Sequence, residues 1–142
     1  MIILDANLLL YAYVPELADH REARRWLNAV FLEEPLVGIP WQSISAFLRV
    51  ATNPRLSAGT SVEQILSTVD SWLQLPNVRV LVPGDHHWAI LKRTIVESQV
   101  RASKLTDAQL AALTIEYGGI LCTTDRDFAR FPGLRWTNPL TT

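Results

Sequence analysis

Short apolar runs alternate with amphipathic stretches along the whole 142-residue chain, and this alternation restricts the possible folds more than any other feature. Four runs, at 1–4, 36–39, 78–82 and 120–124, have the composition of buried strands. Between them, apolar residues recur at the helical period, as in the stretch 23–31. Strands that alternate with helices predict a parallel sheet with helices on both faces, so we expect an α/β fold.

The remaining segments extend this α/β pattern without a repeat, a low-complexity tract or a linker, so we predict one domain over residues 1–142. The predicted helices cover 19–31, 42–52, 61–73, 85–101 and 106–117, followed by a helical turn at 127–131 and an edge strand at 134–136.

Composition excludes several classes of protein. A hydrophobic content of 49% is too high for a disordered chain. The apolar runs are too short to cross a bilayer, and no charged leader precedes the first strand, so we expect neither a membrane span nor a signal peptide. The single cysteine, Cys122, fits a reducing compartment, and we expect a cytoplasmic protein.

Aspartates follow the ends of two predicted strands. Asp5 comes directly after the first strand and Asp125 directly after the strand 120–124. Because parallel strands end at the same edge of a sheet, both side chains are expected there. Thr106-Asp107-Ala108-Gln109 matches a capping box, which places Asp107 on the first turn of the helix that leads into the last of these strands.

Neighbouring carboxylates repel one another, whereas a hard divalent cation stabilises such a group. Mg²⁺ and Mn²⁺ prefer oxygen ligands, and no cluster of His or Cys points to zinc instead. Each aspartate taken alone also has a structural interpretation. Asp5 could be a turn residue, Asp107 could stabilise a helix dipole, and Asp125 and Asp127 could be loop or N-cap residues.

Five stretches of the sequence together resemble the PIN domain family, and more narrowly its VapC-type toxins. They are Leu4 to Ala12, Phe47 to Arg55, Leu105 to Leu113, Leu121 to Phe128, and Phe131 to Leu134 with Trp136.

This resemblance implies a PIN-like three-layer sandwich, in which helices flank a short parallel sheet. It also implies a Mg²⁺- or Mn²⁺-dependent endoribonuclease that acts as the toxin of a VapBC-type pair, works as a homodimer on RNA and is bound by a VapB-type antitoxin protein. The family's pattern assigns catalysis and metal binding to Asp5, Asp107 and Asp125, further metal binding to Asp127, and supporting positions in the pocket to Asn7 and Thr123.

The chain departs from the family at Ala46, where the resemblance predicts a glutamate just before Phe47-Leu48-Arg49. No acidic residue occurs from Pro35 to Val62. The acidic cluster is therefore one carboxylate short. We expect retained activity, and the alternative is a weak or inactive PIN-like module that binds RNA or protein.

RNA phosphates near an acidic centre need neighbouring cations, and the candidates for substrate contact are Arg49, Arg101, Lys104 and Arg126. Arg126 could instead orient the two acids that flank it. The five tryptophans could stack on unpaired bases, although Trp26 and Trp72 fall on apolar helix stripes and are predicted to be core or dimer contacts.

Overall fold

A computed structural model describes residues 1–141 and contains a five-stranded sheet. Its strands are β1 (Ile2–Leu4), β2 (Val37–Pro40), β3 (Val78–Leu81), β4 (Ile120–Cys122) and β5 (Trp136–Thr137). All neighbouring strands are parallel, and their order is β3-β2-β1-β4-β5. The sequence-predicted parallel α/β fold is therefore confirmed.

Within residues 1–141, six α-helices connect the strands. They are α1 (Ala6–Tyr13), α2 (His20–Glu33), α3 (Trp41–Ala51), α4 (Val62–Leu73), α5 (His87–Ser98) and α6 (Leu105–Glu116), with short 3₁₀ turns at Ala102–Lys104 and Arg126–Arg130.

The sequence prediction was wrong at two places in the helices. Helix α1 was not predicted, although it begins directly after β1. The capping box at Thr106 is also absent, because α6 already begins at Leu105 and no side chain caps its N-terminus. The preceding 3₁₀ turn supplies carbonyl partners for the first N–H groups instead: Lys104 donates to Arg101 and Leu105 donates to Ala102. Asp107 nevertheless lies on the first turn of α6, as predicted.

The core lies on both faces of the sheet because β1 is apolar throughout. Ile3 and Leu4 are both fully buried, yet they belong to separate hydrophobic clusters. Successive side chains of a strand point to opposite faces, so each residue serves one layer of helices. On the Leu4 side, the ring of Phe47 packs edge-on against Trp72 at 4.9 Å between centroids. Trp72 is buried there, as its helix stripe predicted.

Cys122 is buried at the end of β4, and burial raises the pKa of its thiol to about 12. It packs as a small apolar side chain. None of the helices in residues 1–141 combines the length and the apolar content needed to cross a membrane.

The centre of the sheet brings together β1 and β4, which are far apart in the sequence. Strand β1 lies between β2 and β4, and Leu4 is in register with Cys122. The backbone N–H of Asp5 donates to the carbonyl oxygen of Cys122 at 3.1 Å, which extends this pairing by one residue. Asp5 and the residues after Cys122 therefore leave the sheet side by side at its carboxyl edge.

Candidate active site

Asp5 is the N-cap of α1, at the point where β1 ends. Its backbone is extended (φ −78°, ψ 151°), and its Oδ1 accepts a hydrogen bond from the N–H of Ala6 at 2.7 Å. Its Oδ2 accepts a second bond, from the Thr123 hydroxyl, also at 2.7 Å. The sequence interpretation of Asp5 as a simple turn residue is thus incomplete, since both oxygens of its largely buried carboxylate have defined partners.

Thr123 connects the side chains that follow β1 and β4. Its side chain is completely buried, and its Oγ1 accepts hydrogen bonds from the Asp125 N–H at 3.0 Å and from Asn7 Nδ2 at 3.3 Å. A hydroxyl group has one proton to donate and two lone pairs to accept with. With its proton donated to Asp5, Thr123 uses its full capacity, and the hydroxyl orientation is fixed.

Asn7 contributes an unused acceptor next to this network. While its Nδ2 donates to Thr123, its Oδ1 is buried and has no hydrogen-bond partner among residues 1–141. A buried carbonyl oxygen without a partner is costly, and a cation or an ordered water would satisfy it.

The carboxylates of Asp107 and Asp125 lie close enough to Asp5 for their charges to act on it. The pKa of Asp5 is raised mainly by burial; its hydrogen bonds oppose this, and the negative charges of Asp107 and Asp125 raise it further. The pKa of Asp107 is also raised, first by burial and then by Asp125 and Asp127, while Lys104 opposes the rise. The predicted convergence of aspartates from three separate segments is therefore present.

The aspartates meet, but their side chains are not arranged as a complete set of metal ligands. Within residues 1–141, no group of three or more His, Cys, Asp or Glu side chains is arranged tightly enough to hold a metal ion. The resemblance-based assignment of Asp5, Asp107, Asp125 and Asp127 as metal ligands stays a prediction.

Lys104 occupies the exposed side of the cluster. Its Nζ lies 2.8 Å from Asp127 Oδ2 and 3.7 Å from Asp107 Oδ2. These contacts lower the pKa of Asp127, and the same pairing raises the pKa of Lys104. In this structure Lys104 pairs with carboxylates of the site itself, and its contact with substrate stays a prediction.

Arg130 is a cation near the acids that the sequence prediction missed. Its Nη2 lies 3.9 Å from Asp127 Oδ2, and its Nε donates to the Asp127 carbonyl oxygen. The available signal was the spacing of three residues from Asp127 on a helical turn.

The other three predicted substrate-binding cations are exposed: Arg49, Arg101 and Arg126. In the described part of the chain they form no ion pair. The alternative role of Arg126 in orienting the flanking acids is thus not seen, because Asp125 instead caps the 3₁₀ turn by accepting from the Asp127 N–H at 2.9 Å. Their contact with substrate stays a prediction.

Comparison with known proteins places this arrangement in a family. Residues 2–134 match the model of the PIN domain. The chain belongs to the PIN domain family. Ribonuclease VapC33 of Mycobacterium tuberculosis is 38% identical over 141 residues, which cover 99% of each chain. The family resemblance noted in the sequence is therefore confirmed.

Solved structures share the fold at lower identity. VapBC2 from Rickettsia felis, bound to a DNA fragment from its promoter, has a TM-score of 0.70 at 18% identity and covers 97% of this chain and 98% of that chain. VapC20 of Mycobacterium tuberculosis, a sarcin-ricin loop cleaving toxin, has a TM-score of 0.68 at 18% identity, with 95% and 99% covered. At this identity the likeness establishes the PIN-like α/β architecture.

Proposed function

We propose that this PIN domain is an endoribonuclease that hydrolyses RNA with the help of Mg²⁺ or Mn²⁺ and acts as the toxin of a VapBC-type pair. The observation that carries the proposal is the meeting of Asp5, Asp107 and Asp125 at the carboxyl edge of the sheet: Thr123 joins Asp5 to Asp125, and the charges of Asp107 and Asp125 raise the pKa of Asp5. Ribonuclease VapC33, which is similar over 99% of its length, supports the same reaction class.

The donors at this edge fit a hard divalent cation. Three carboxylates and the unpartnered Oδ1 of Asn7 are all oxygen ligands, and no His or Cys side chain is among them. Mg²⁺ keeps several waters and is commonly held through one or two carboxylates plus substrate phosphate, so a finished protein cage is not required. Asp5, Asp107 and Asp125 would hold the ion, with Asp127 assisting.

Such an ion supplies two things to phosphodiester hydrolysis: a lower pKa for the attacking water and neutralisation of charge on the phosphate. The chain's own residues supply position. Thr123 fixes the Asp5 carboxylate, and the Asp125 backbone is fixed through the same hydroxyl. The exposed side chains of Arg101 and Arg126 would neutralise neighbouring RNA phosphates.

The partners follow from the same proposal. A toxin of this type would be held inactive by a VapB-type antitoxin protein and would work as a homodimer on RNA in the cytoplasm. The VapBC complex with a similar fold supports an antitoxin partner.

The decisive experiment replaces Asp5 or Asp125 by Asn and measures RNA cleavage with Mn²⁺. We expect cleavage to fall about 100-fold or more, because even the outer partners of metal ligands typically account for about 10–100-fold. Asp70→Asn, at an exposed position on α4, is the matched control and should leave cleavage unchanged. Unchanged cleavage in both site variants would contradict the assignment.

A second candidate is a binding module with little or no catalysis. Two observations favour it: Ala46 replaces the glutamate that the family resemblance predicts, and Lys104 already pairs with two carboxylates. Calorimetric titration with Mn²⁺ separates the candidates, since an inactive module should bind no metal at millimolar concentration. A large gain of cleavage in Ala46→Glu would indicate that the native site is impaired.

A further inference from the structure

A cavity of about 530 Å³ opens between α3 and α6, next to the acidic cluster. The end of β3 and the start of α5 complete its walls. Its volume is in the range of ordinary small-molecule pockets. Neither the metal assignment nor the cleavage chemistry uses this cavity.

Two residues of the lining place the cavity near the site. Thr106 lines it, and the next residue of α6 is Asp107. Trp41 lines it from the first position of α3, directly after β2, and therefore lies at the same edge of the sheet as Asp5. A polymer bound at the acids can reach this cavity without leaving that edge.

The lining combines an apolar surface with polar groups at one side. Leu81, Leu91 and Leu113 supply the apolar surface. Gln42 donates from Nε2 to the Thr106 carbonyl oxygen at 3.2 Å, and its Oε1 forms no hydrogen bond within residues 1–141. Gln109 also lines the cavity and brings a second amide. Amide groups can donate to and accept from the edge of a base.

Trp41 is the feature that suggests stacking. Its side chain is 56% exposed, although tryptophan usually buries most of its large surface in a protein core. Exposed aromatic side chains in nucleic-acid-binding grooves stack on unpaired bases, whatever the base.

The charge of the lining fits a polyanion. Arg49 lines the cavity on α3, and none of the described residues around it is a carboxylate. The position that the family resemblance assigns to glutamate is Ala46, which also lines this cavity. The wall therefore carries one negative charge fewer than the resemblance predicts, and its side chain at this position is small.

We propose that this cavity is a nucleobase subsite, in which an unpaired base of single-stranded RNA stacks on Trp41 while the adjoining phosphates lie towards Arg49 and the acidic cluster. The inference rests on the proposed ribonuclease function, because it names where that substrate binds.

The test measures binding of a labelled short single-stranded oligoribonucleotide by fluorescence anisotropy in EDTA, so that no cleavage occurs. A sugar-phosphate oligomer of equal length without bases is the second probe. Trp41→Ala should weaken RNA binding at least about fivefold, the lower end of the cost of removing one stacking aromatic. It should leave binding of the base-free oligomer unchanged, and Trp41→Phe should retain most of the RNA affinity.

Trp88→Ala is the matched control, because Trp88 is 66% exposed on α5 and does not line the cavity. Arg49→Met should weaken both probes alike and reduce the salt dependence of log K by about 0.7, the value for one phosphate contact with a single strand. In cleavage assays, Trp41→Ala should raise KM more than it lowers kcat.

Several results would overturn the subsite. The first is unchanged RNA binding in Trp41→Ala. The second is a loss in Trp41→Ala that is equal for the RNA and the base-free oligomer. The third is a loss of RNA binding in Trp88→Ala as large as that in Trp41→Ala. A lower sedimentation mass of Trp41→Ala would also overturn it and would instead mark Trp41 as a contact with a second copy of the chain. If the unaltered protein cleaves RNA but Trp41→Ala behaves like it, the subsite alone fails. If the unaltered protein neither binds nor cleaves RNA, the proposed function fails.

Discussion

Asp5 and Asp127 lie on opposite sides of the acidic cluster and are stabilised in different ways. Asp5 is largely buried and depends on two hydrogen-bond donors, the Ala6 N–H and the Thr123 hydroxyl, and within residues 1–141 no cation pairs with it. Asp127 is exposed and pairs with Lys104 and Arg130. The pKa of Asp5 is accordingly raised and that of Asp127 lowered.

This difference indicates which carboxylate lacks a positive charge. The exposed acid already has cations from the chain itself, whereas the buried acid has dipoles alone. A bound divalent cation would therefore stabilise the charge of Asp5 more than that of Asp127. The comparison also predicts that hydrogen bonds determine the position and charge of Asp5 on the buried, inner side of the cluster. On the exposed, outer side, ion pairs determine those of Asp127.

Among the variants that test this comparison, the largest effect is expected for Thr123→Val, which removes the hydroxyl but keeps a similar shape. The Asp5 carboxylate loses a donor, and the N–H of Asp125 loses its acceptor. We expect RNA cleavage to fall about 10–100-fold, and the free energy of unfolding in urea to fall by about 1–3 kcal/mol. Thr123→Ser, which keeps the hydroxyl, should retain most of the cleavage activity and most of the free energy of unfolding. If Thr123→Val matched the unaltered protein, the inner side would not depend on this hydroxyl.

A smaller effect is expected for Lys104→Met on the outer side. Removing the ammonium group leaves the negative charges of Asp107 and Asp127 less compensated, so Mn²⁺ affinity measured by calorimetry at low salt should rise about three- to tenfold. The midpoint of urea unfolding should change little, because exposed ion pairs contribute little. Lys92→Met removes the only other lysine of the sequence, from an exposed site on α5, and should leave metal affinity unchanged. A weaker Mn²⁺ affinity in Lys104→Met would contradict the assignment of Lys104 as a competing cation.

The smallest effect is a difference in pH dependence. Because the pKa of Asp5 is raised, its charge destabilises the fold at neutral pH, and protonation relieves this cost as the pH falls through the raised pKa towards 3.8. The stability of the unaltered protein relative to Asp5→Asn should therefore increase on acidification over that range. For Asp127 the pKa is lowered, so stability relative to Asp127→Asn should decrease as the pH falls below about 3.8. Urea unfolding at a series of pH values measures both differences in stability. If both differences changed with pH in the same direction, the contrast between Asp5 and Asp127 would be contradicted.

The sequence predicted the part of the site that depends on sheet topology. Asp5 and Asp125 each follow a buried apolar run, and parallel pairing of β1 with β4 was enough to bring them to one edge. The contacts of Lys104 were not predictable, because they depend on a 3₁₀ turn whose Ala102 has a positive φ of 52° and which shifts the start of α6.

Helix α1 was missed because its sequence carries no amphipathic stripe. Leu8 and Leu9 are both fully buried, since α1 packs between the sheet and other helices. A helix that is apolar on most sides gives no helical period in a hydrophobicity pattern. The remaining signal was Asp5 itself, whose side chain caps the helix. The cavity at Trp41 was equally invisible, because its walls come from segments far apart in the chain.

The hydrogen bond between Asp5 and Thr123 joins residues that are 118 positions apart. During synthesis from the N-terminus, the first strand and its aspartate emerge long before the fourth strand exists. An incomplete chain thus has the first carboxylate but neither the hydroxyl that orients it nor Asp125. Translation must pass Asp125 before the site can assemble, and a product truncated before that residue would lack the proposed activity.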